Sequence, residues 1–223
     1  MIRAPRVGVL GGTLDPIHCG HVAAAVTARD ALDLSVVLII PSRIPPHRAV
    51  QPVASAYHRF AMAALAASGE RRLQVSDIEL RSEGRSYTAD TLERLRAEGL
   101  MPSQIFFITG ADAFADIATW KRYPEVLDLA NFVVVSRPGH QLDALPARLA
   151  ELAARMRPAA EEPTEPAKPF IHLLRASTPD VSSTIVREHL KKGEPITGLV
   201  PPLVEAHIIT NRLYRAKQLH GEI

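Results

Sequence analysis

Short apolar runs that end at glycine, proline or serine, separated by helix-spaced segments, constrain this chain more than any other feature. Val7 to Leu10 stops at Gly11 and Gly12 and reads as a buried first strand entering a tight loop. From His21 onward Val22, Ala25, Ala28 and Leu32 recur at helical spacing, and Ser35 to Ile40 then reads as a second buried parallel strand. The alternation continues with a helix near Ser55 to Ala67, a strand near Leu73 to Ile78 and a helix from Thr88 to Glu98. Gln104 to Thr109, Phe132 to Ser136 and Phe170 to Leu174 are further strand candidates, and Val181 to Lys191 and Pro202 to Asn211 are closing helices. The class is α/β: an open parallel sheet with helices on both faces and a small C-terminal helical part.

At 223 residues the chain is expected to form one domain, 1–223. Between Pro138-Gly139 and the last strand candidate, Asp143 to Met156 reads as an Ala/Leu helix. The stretch after it is rich in Pro, Glu and Ala, has little bulky apolar surface to bury, and is expected to be a mobile surface excursion at about 157–168. The formal charge is +2 with no long basic run, so no nucleic-acid partner is expected and anionic small molecules fit better. Cys19 is the one cysteine, which excludes an internal disulfide and a cysteine-built zinc site and suits a reducing cytoplasm. The apolar run after the amino terminus is too short for a signal core or a membrane span, so a cytoplasmic protein with no membrane partner is expected.

The chemistry concentrates in Gly11-Gly12-Thr13-Leu14-Asp15-Pro16-Ile17-His18-Cys19-Gly20-His21, where the first strand hands over to the first helix. Ligands of open α/β sheets bind at the carboxyl ends of the strands, and the following helix offers N–H groups and a positive dipole end to phosphate. His18 and His21, three positions apart, can supply two donors to a phosphate whose equatorial charge grows in a transition state. Taken alone, a turn with two incidental histidines remains the alternative. The chain has no G-x-x-x-x-G-K-[ST] loop and no G-x-G-x-x-G fingerprint, and without H-E-x-x-H and a third ligand the two histidines are no zinc pair, so no protein-held metal is expected.

Other candidates each have a plain reading beside the functional one. Ser183 and Arg187, four apart, share a helix face and can grip phosphate; spacing alone favours a cap and a solvated arginine. His47 and Arg48 follow two prolines at the ligand-binding edge, or belong to an ordinary surface loop. Tyr87 and Thr88 precede a helix whose N–H groups suit a carboxylate, or Thr88 is a cap. Trp120 can stack on an aromatic ring or merely pack. Asp112 can hold a ribose hydroxyl or approach a metal, or is an acid at a helix start.

The eleven-residue run resembles the [HT]-x-G-H loop of the nucleotidyltransferase superfamily, in the long form of bacterial nicotinate-nucleotide adenylyltransferases. Pro45-Pro46-His47-Arg48, Ser86-Tyr87-Thr88-Ala89-Asp90-Thr91-Leu92, Gly110-Ala111-Asp112, Trp120, Ser136-Arg137-Pro138-Gly139 and Val181-Ser182-Ser183-Thr184-Ile185-Val186-Arg187 resemble further elements of that family, in order. The resemblance implies a Rossmann-like fold and adenylyl transfer from ATP to nicotinate mononucleotide, giving deamido-NAD and pyrophosphate, with Mg2+ on the triphosphate. It implies His18, His21 and Arg187 as catalytic residues, and Gly11, Gly12, Thr13, Gly110, Ser183 and Thr184 with them around ATP. His47, Arg48, Tyr87, Thr88, Asp112, Trp120 and Arg137 are implied around the pyridine mononucleotide. Leu14 departs from the family, which usually has an aromatic there. Rival readings are an adenylyltransferase for nicotinamide mononucleotide or phosphopantetheine, and a regulatory nucleotide-binding module without turnover; a homo-oligomer is left open.

Overall fold

The computed structural model describes residues 4–46, 52–136, 142–159 and 169–215. The opening unit is β1 (Val7–Gly12), α1 (Cys19–Ala31) and β2 (Val36–Pro41). It is followed by α2 (Ala56–Ser68), β3 (Leu73–Val75), α3 (Thr88–Ala97), β4 (Ile105–Gly110), the short α4 (Ala111–Phe114) and β5 (Asn131–Val135). The last part holds α5 (Leu145–Arg148), β6 (Met156–Pro158), β7 (Ile171–Leu174), α6 (Ser183–Lys192) and α7 (Pro202–Thr210).

Among the described residues seven strands form one parallel sheet in the order β3-β2-β1-β4-β5-β7-β6. Period-two alternation divides the core between the two faces. Leu10, Val37, Ile39, Phe106, Ile108, Val133 and Val135 pack on the side that includes Ala25, Met62, Val186, Val204 and Ile208. Val9, Ile40, Ile105, Phe107, Phe132 and Val134 pack on the side of Leu92, Leu95 and Phe114. Burying one such side chain fully contributes about 1.5–3 kcal/mol, so this two-faced core is the main stabilising term. From β1 the chain winds outward one way through β2 and β3, then returns to β4 and winds the other way. The crevice between β1 and β4 is therefore the switch point at which such sheets receive ligands.

Helix ends follow from local chemistry. Ser55 caps α2 by accepting the His58 N–H (3.3 Å), and Ser182 caps α6 by accepting the Ile185 N–H (3.2 Å). Gly193 ends α6 at φ 74°, a left-handed conformation that suits glycine.

Two expectations are corrected. Asp143 to Met156 is not one helix: the short α5 starts at Leu145 with Pro146 in its first turn, Leu149 leaves helical geometry at φ −119° and ψ 60°, and a 3-10 turn over Ala150–Arg155 follows. The excursion does not begin at 157, because Arg157 pairs with His172 and Pro158 with Leu173 in β6. Proline is tolerated there because β6 is an edge strand and needs no N–H on its outer side. Residues 160–168 lie outside the described residues.

Candidate active site

Two cavities open at the carboxyl ends of β1 and β4. The larger, about 500 Å³, is lined on one side by Gly11, Gly12 and Thr13, and on the other by Tyr87, Thr88 and Ala89 at the start of α3, with Trp120, Lys121 and Glu79. The smaller, about 160 Å³, is lined by His18, Gly20, His21, Gly110, Asp112, Asp180 and Ser182. Thr109, near the end of β4, borders both.

The histidine pair is built by the entry into α1. His18 is its N-cap residue, with extended backbone, and its N–H donates to Nδ1 of His21 at 3.3 Å. An acceptor Nδ1 carries no proton, so the neutral His21 ring holds its proton on Nε2, the far side. The two rings stack at 3.7 Å between centroids and a 33° tilt. Gly20 makes this packing possible: a Cβ there would meet the His18 ring at 3.1 Å and the Pro179 carbonyl at 3.4 Å. The small cavity is thus lined by two imidazoles, by Asp112 and Asp180, and by Ser182, the N-cap residue of α6.

The larger cavity has a different chemistry. Tyr87 is the N-cap residue of α3 and makes no side-chain capping bond; it lines the cavity with Thr88 and Ala89, the first helical residues, while the N–H groups of Asp90 and Thr91 already donate to the Tyr87 carbonyl. Lys121 lies 4.7 Å above the Tyr87 ring and is paired with the Asp90 carboxylate at 2.8 Å, which places its ammonium, with that counter-charge, at the same end. Trp120 stands edge-on to Phe107 (5.9 Å, 86°) and Phe132 (6.3 Å, 62°), which fixes the indole at the cavity wall. Below it, Glu79 is buried and accepts the Thr91 hydroxyl at 2.6 Å; burial pushes its carboxyl above the usual carboxylate range.

The expected site residues separate as follows. His18, His21 and Gly110 meet on the small cavity, and Tyr87, Thr88 and Trp120 on the large one. Thr88 is the first helical residue rather than the cap. Gly11, Gly12 and Thr13, expected with the nucleotide, line the larger cavity. Asp112, expected with the pyridine mononucleotide, lines the small one. It is one residue from Ala113 of the large cavity, and successive helical residues point about 100° apart. Ser183, Thr184 and Arg187 line neither cavity: Ser183 donates to the Pro16 carbonyl (2.9 Å), and Arg187 to the Asp15 carbonyl (2.6 Å) and the Thr184 hydroxyl (3.1 Å). They steady the loop before the histidines, while their neighbour Ser182 reaches the cavity. His47, Arg48 and Arg137 lie outside the described residues. Leu14 is buried among the core residues and lines neither cavity.

Sequence reasoning missed Glu79, Lys121 and Asp180. Glu79 and Asp180 look like ordinary surface acids in the sequence, but the adjacency of Lys121 to Trp120 was a usable signal. Among the described residues no group of three or more His, Cys, Asp or Glu side chains is placed to hold a metal ion, and no helix is long and apolar enough to cross a membrane.

A cytidylyltransferase-like family model matches residues 9–189. A protein of Roseiflexus sp. named "Probable nicotinate-nucleotide adenylyltransferase" is 42% identical over 215 residues, covering 96% of this chain and 100% of that one. A Moorella thermoacetica protein of the same name is 38% identical, covering 96% and 94%. Among solved structures, the Plasmodium falciparum nicotinic acid mononucleotide adenylyltransferase complexed with NaAD superposes with a TM-score of 0.70 at 18% identity, over 95% of this chain and 98% of that one, and supports the fold.

Proposed function

Because the chain belongs to the cytidylyltransferase-like family, and within it to the nicotinate-nucleotide adenylyltransferases, we propose that it transfers the adenylyl group of ATP to nicotinate mononucleotide in NAD biosynthesis. A phosphate oxygen of the mononucleotide attacks the α-phosphorus of ATP. The bond from that phosphorus to the bridging oxygen breaks, pyrophosphate leaves, and nicotinate adenine dinucleotide forms. The observation that carries this reading is the start of α3, without a side-chain cap, lining with Trp120 a cavity that shares Thr109 with the cavity of the histidine pair.

The attacking phosphate is already anionic at neutral pH, so positioning and charge stabilisation carry the rate. His18 and His21 donate to the α-phosphate, and Gly110 lets backbone approach the nucleotide. Gly11, Gly12 and Thr13, on the wall of the larger cavity, lie where the two phosphates meet. Ser183, Thr184 and Arg187 serve the triphosphate end by holding the loop and the start of α6. Trp120 stacks on the pyridine ring, and the N–H groups at Tyr87 and Thr88, with Lys121, receive its carboxylate. His47, Arg48 and Arg137 are assigned to phosphate clamping by their motifs alone. Magnesium, which accompanies ATP and neutralises the triphosphate, needs only one or two protein carboxylates. Asp112 and Asp180 on the small cavity would be the carboxylates to supply them, with the nucleotide's phosphates as the main ligands. A cytoplasmic setting agrees with these substrates.

Pyrophosphate release measured with Mg-ATP and each pyridine mononucleotide in turn tests the proposal. The nicotinate form should be preferred in kcat/KM by about tenfold or more, the worth of a charge-assisted bond over a neutral one. Equal use of the amide would overturn the carboxylate assignment, and no release with either would overturn adenylyl transfer.

A further inference from the structure

Glu79 is 6% exposed in the wall of the larger cavity, and among the described residues no arginine or lysine stands within ion-pair distance of it. Burying a carboxylate without a close counter-charge costs stability, and an apolar side chain of similar size would suit the fold better. Its bonding is to hydroxyl instead. The Thr91 hydroxyl donates to Glu79 Oε1 at 2.6 Å, and the Ser86 hydroxyl also favours the charged carboxylate. That Ser86 hydroxyl accepts the Arg43 N–H (2.9 Å), which leaves its own proton for an acceptor, and the Ser86 N–H donates to the Ile44 carbonyl (2.9 Å).

Ser86 and Thr91 bracket three residues that line the cavity, Tyr87, Thr88 and Ala89. The N–H groups of Asp90 and Thr91 close the first bonds of α3 on the Tyr87 carbonyl, so those of Tyr87, Thr88 and Ala89 precede the helical ladder, and the N-cap side chain bonds none of them. A ring carboxylate offers lone pairs to two such donors. A carboxamide offers one oxygen and sets its own N–H against the other donor, leaving a buried donor unpaired. Donors at a fixed spacing therefore reject the amide. The single Thr91 proton goes to Glu79 at 2.6 Å in preference to the Tyr87 carbonyl at 3.3 Å, and without Glu79 it would turn to that carbonyl, which two N–H groups already share.

We propose that Glu79 is a positioning residue that sets the preference for a pyridine carboxylate over a carboxamide: its bond to Thr91 anchors the first turn of α3 and so fixes the spacing of the N–H groups at Tyr87, Thr88 and Ala89. A direct action of its charge has the opposite sign, because a negative group in the cavity wall opposes an anionic ligand. The two effects are thereby separable. The inference rests on the functional reading above.

The test is steady-state pyrophosphate release by the whole protein with nicotinate and nicotinamide mononucleotide in turn, and with ATP varied separately. Thr91→Val keeps the shape and leaves Glu79 in place but removes the bond. The ratio of kcat/KM for the acid over the amide should then fall by about fivefold or more, with KM for ATP within about twofold of the parent's. Thr91→Ser retains the hydroxyl and should keep the parent ratio; a fall equal to that of Thr91→Val would assign the effect to the lost methyl and overturn the role. Glu79→Leu removes bond and charge together and should lower the ratio too, which serves should Thr91→Val not fold. A ratio unchanged in both, or raised in Glu79→Leu, overturns the positioning role and leaves the carboxylate assignment standing. A loss shared equally by ATP marks a merely structural bond and overturns it as well. A parent without preference for the nicotinate form overturns the carboxylate assignment and this inference together.

Discussion

The backbone N–H of His18 donates to Nδ1 of His21 across 3.3 Å, so the loop that ends at His18 also selects which nitrogen of His21 carries the proton. A donor Nε2 aimed at a growing phosphate charge is preorganised, and removing one such donor costs about 10²-fold or more in rate. His21→Ala is therefore expected to keep the parent's thermal midpoint within a few degrees and to lose kcat on that scale. A folded variant turning over at the parent rate would remove His21 from the chemistry.

Gly20→Ala separates space from chemistry. Its added methyl would sit 3.1 Å from the His18 ring and 3.4 Å from the Pro179 carbonyl, so ring or loop must give by a few tenths of an ångström. Alanine favours the helix in which the residue sits, which leaves stability close to the parent's. Turnover should drop by about tenfold, because small misplacement of a catalytic group is costly. An unchanged kcat would show that the ring has room to move without consequence.

Trp120→Ala should act on one substrate only. Stacking of an aromatic side chain on a base is worth about 1–3 kcal/mol, so KM for nicotinate mononucleotide should rise by roughly tenfold while KM for ATP stays near the parent value. Steady-state kinetics with each substrate varied in turn make the comparison, and equal loss for both would assign the indole to packing.

His172 gives the fold a pH dependence far from the site. It is 2% exposed, and burial together with the charges of Arg6 and Arg157 pushes its imidazole down to about 4 from 6.5. The folded state thus keeps it neutral, whereas the unfolded chain takes up a proton below about 6.5. Stability is full above that pH and is lost as pH falls through the window from 6.5 to 4, by about 3 kcal/mol at its lower end. Denaturant titrations at several pH values should show that slope in the parent and a flatter one in His172→Gln. Identical slopes would refute the assignment.

The strands were legible because strands buried on both faces, such as Val36–Pro41 and Asn131–Val135, carry unbroken apolar sequence. The histidine pair was legible because its loop directly joins a strand to a helix. β6 was not: three residues ending in proline carry no periodic signal, and each pairs with a β7 residue fifteen positions away. Arg59 was hidden for another reason. Its sequence neighbourhood is an alanine-rich helix in which an arginine normally faces water, and only the converging carbonyls of Thr13, Arg43 and Ala54 explain its burial. The side of the site on which Asp112 falls is a matter of one helical step, which spacing in the sequence does not resolve.

Among the described residues the sheet ends on both sides in strands of three residues, β3 and β6, and the second closes with Pro158. An open strand is a template on which another chain can add itself, and long flat ones seed fibrils. Here each rim offers a ledge of about 10 Å, and one of them lacks an N–H at its last position. Copies crowded together therefore find too short a rung on either side to extend the ladder, so concentrated preparations should resist fibril growth.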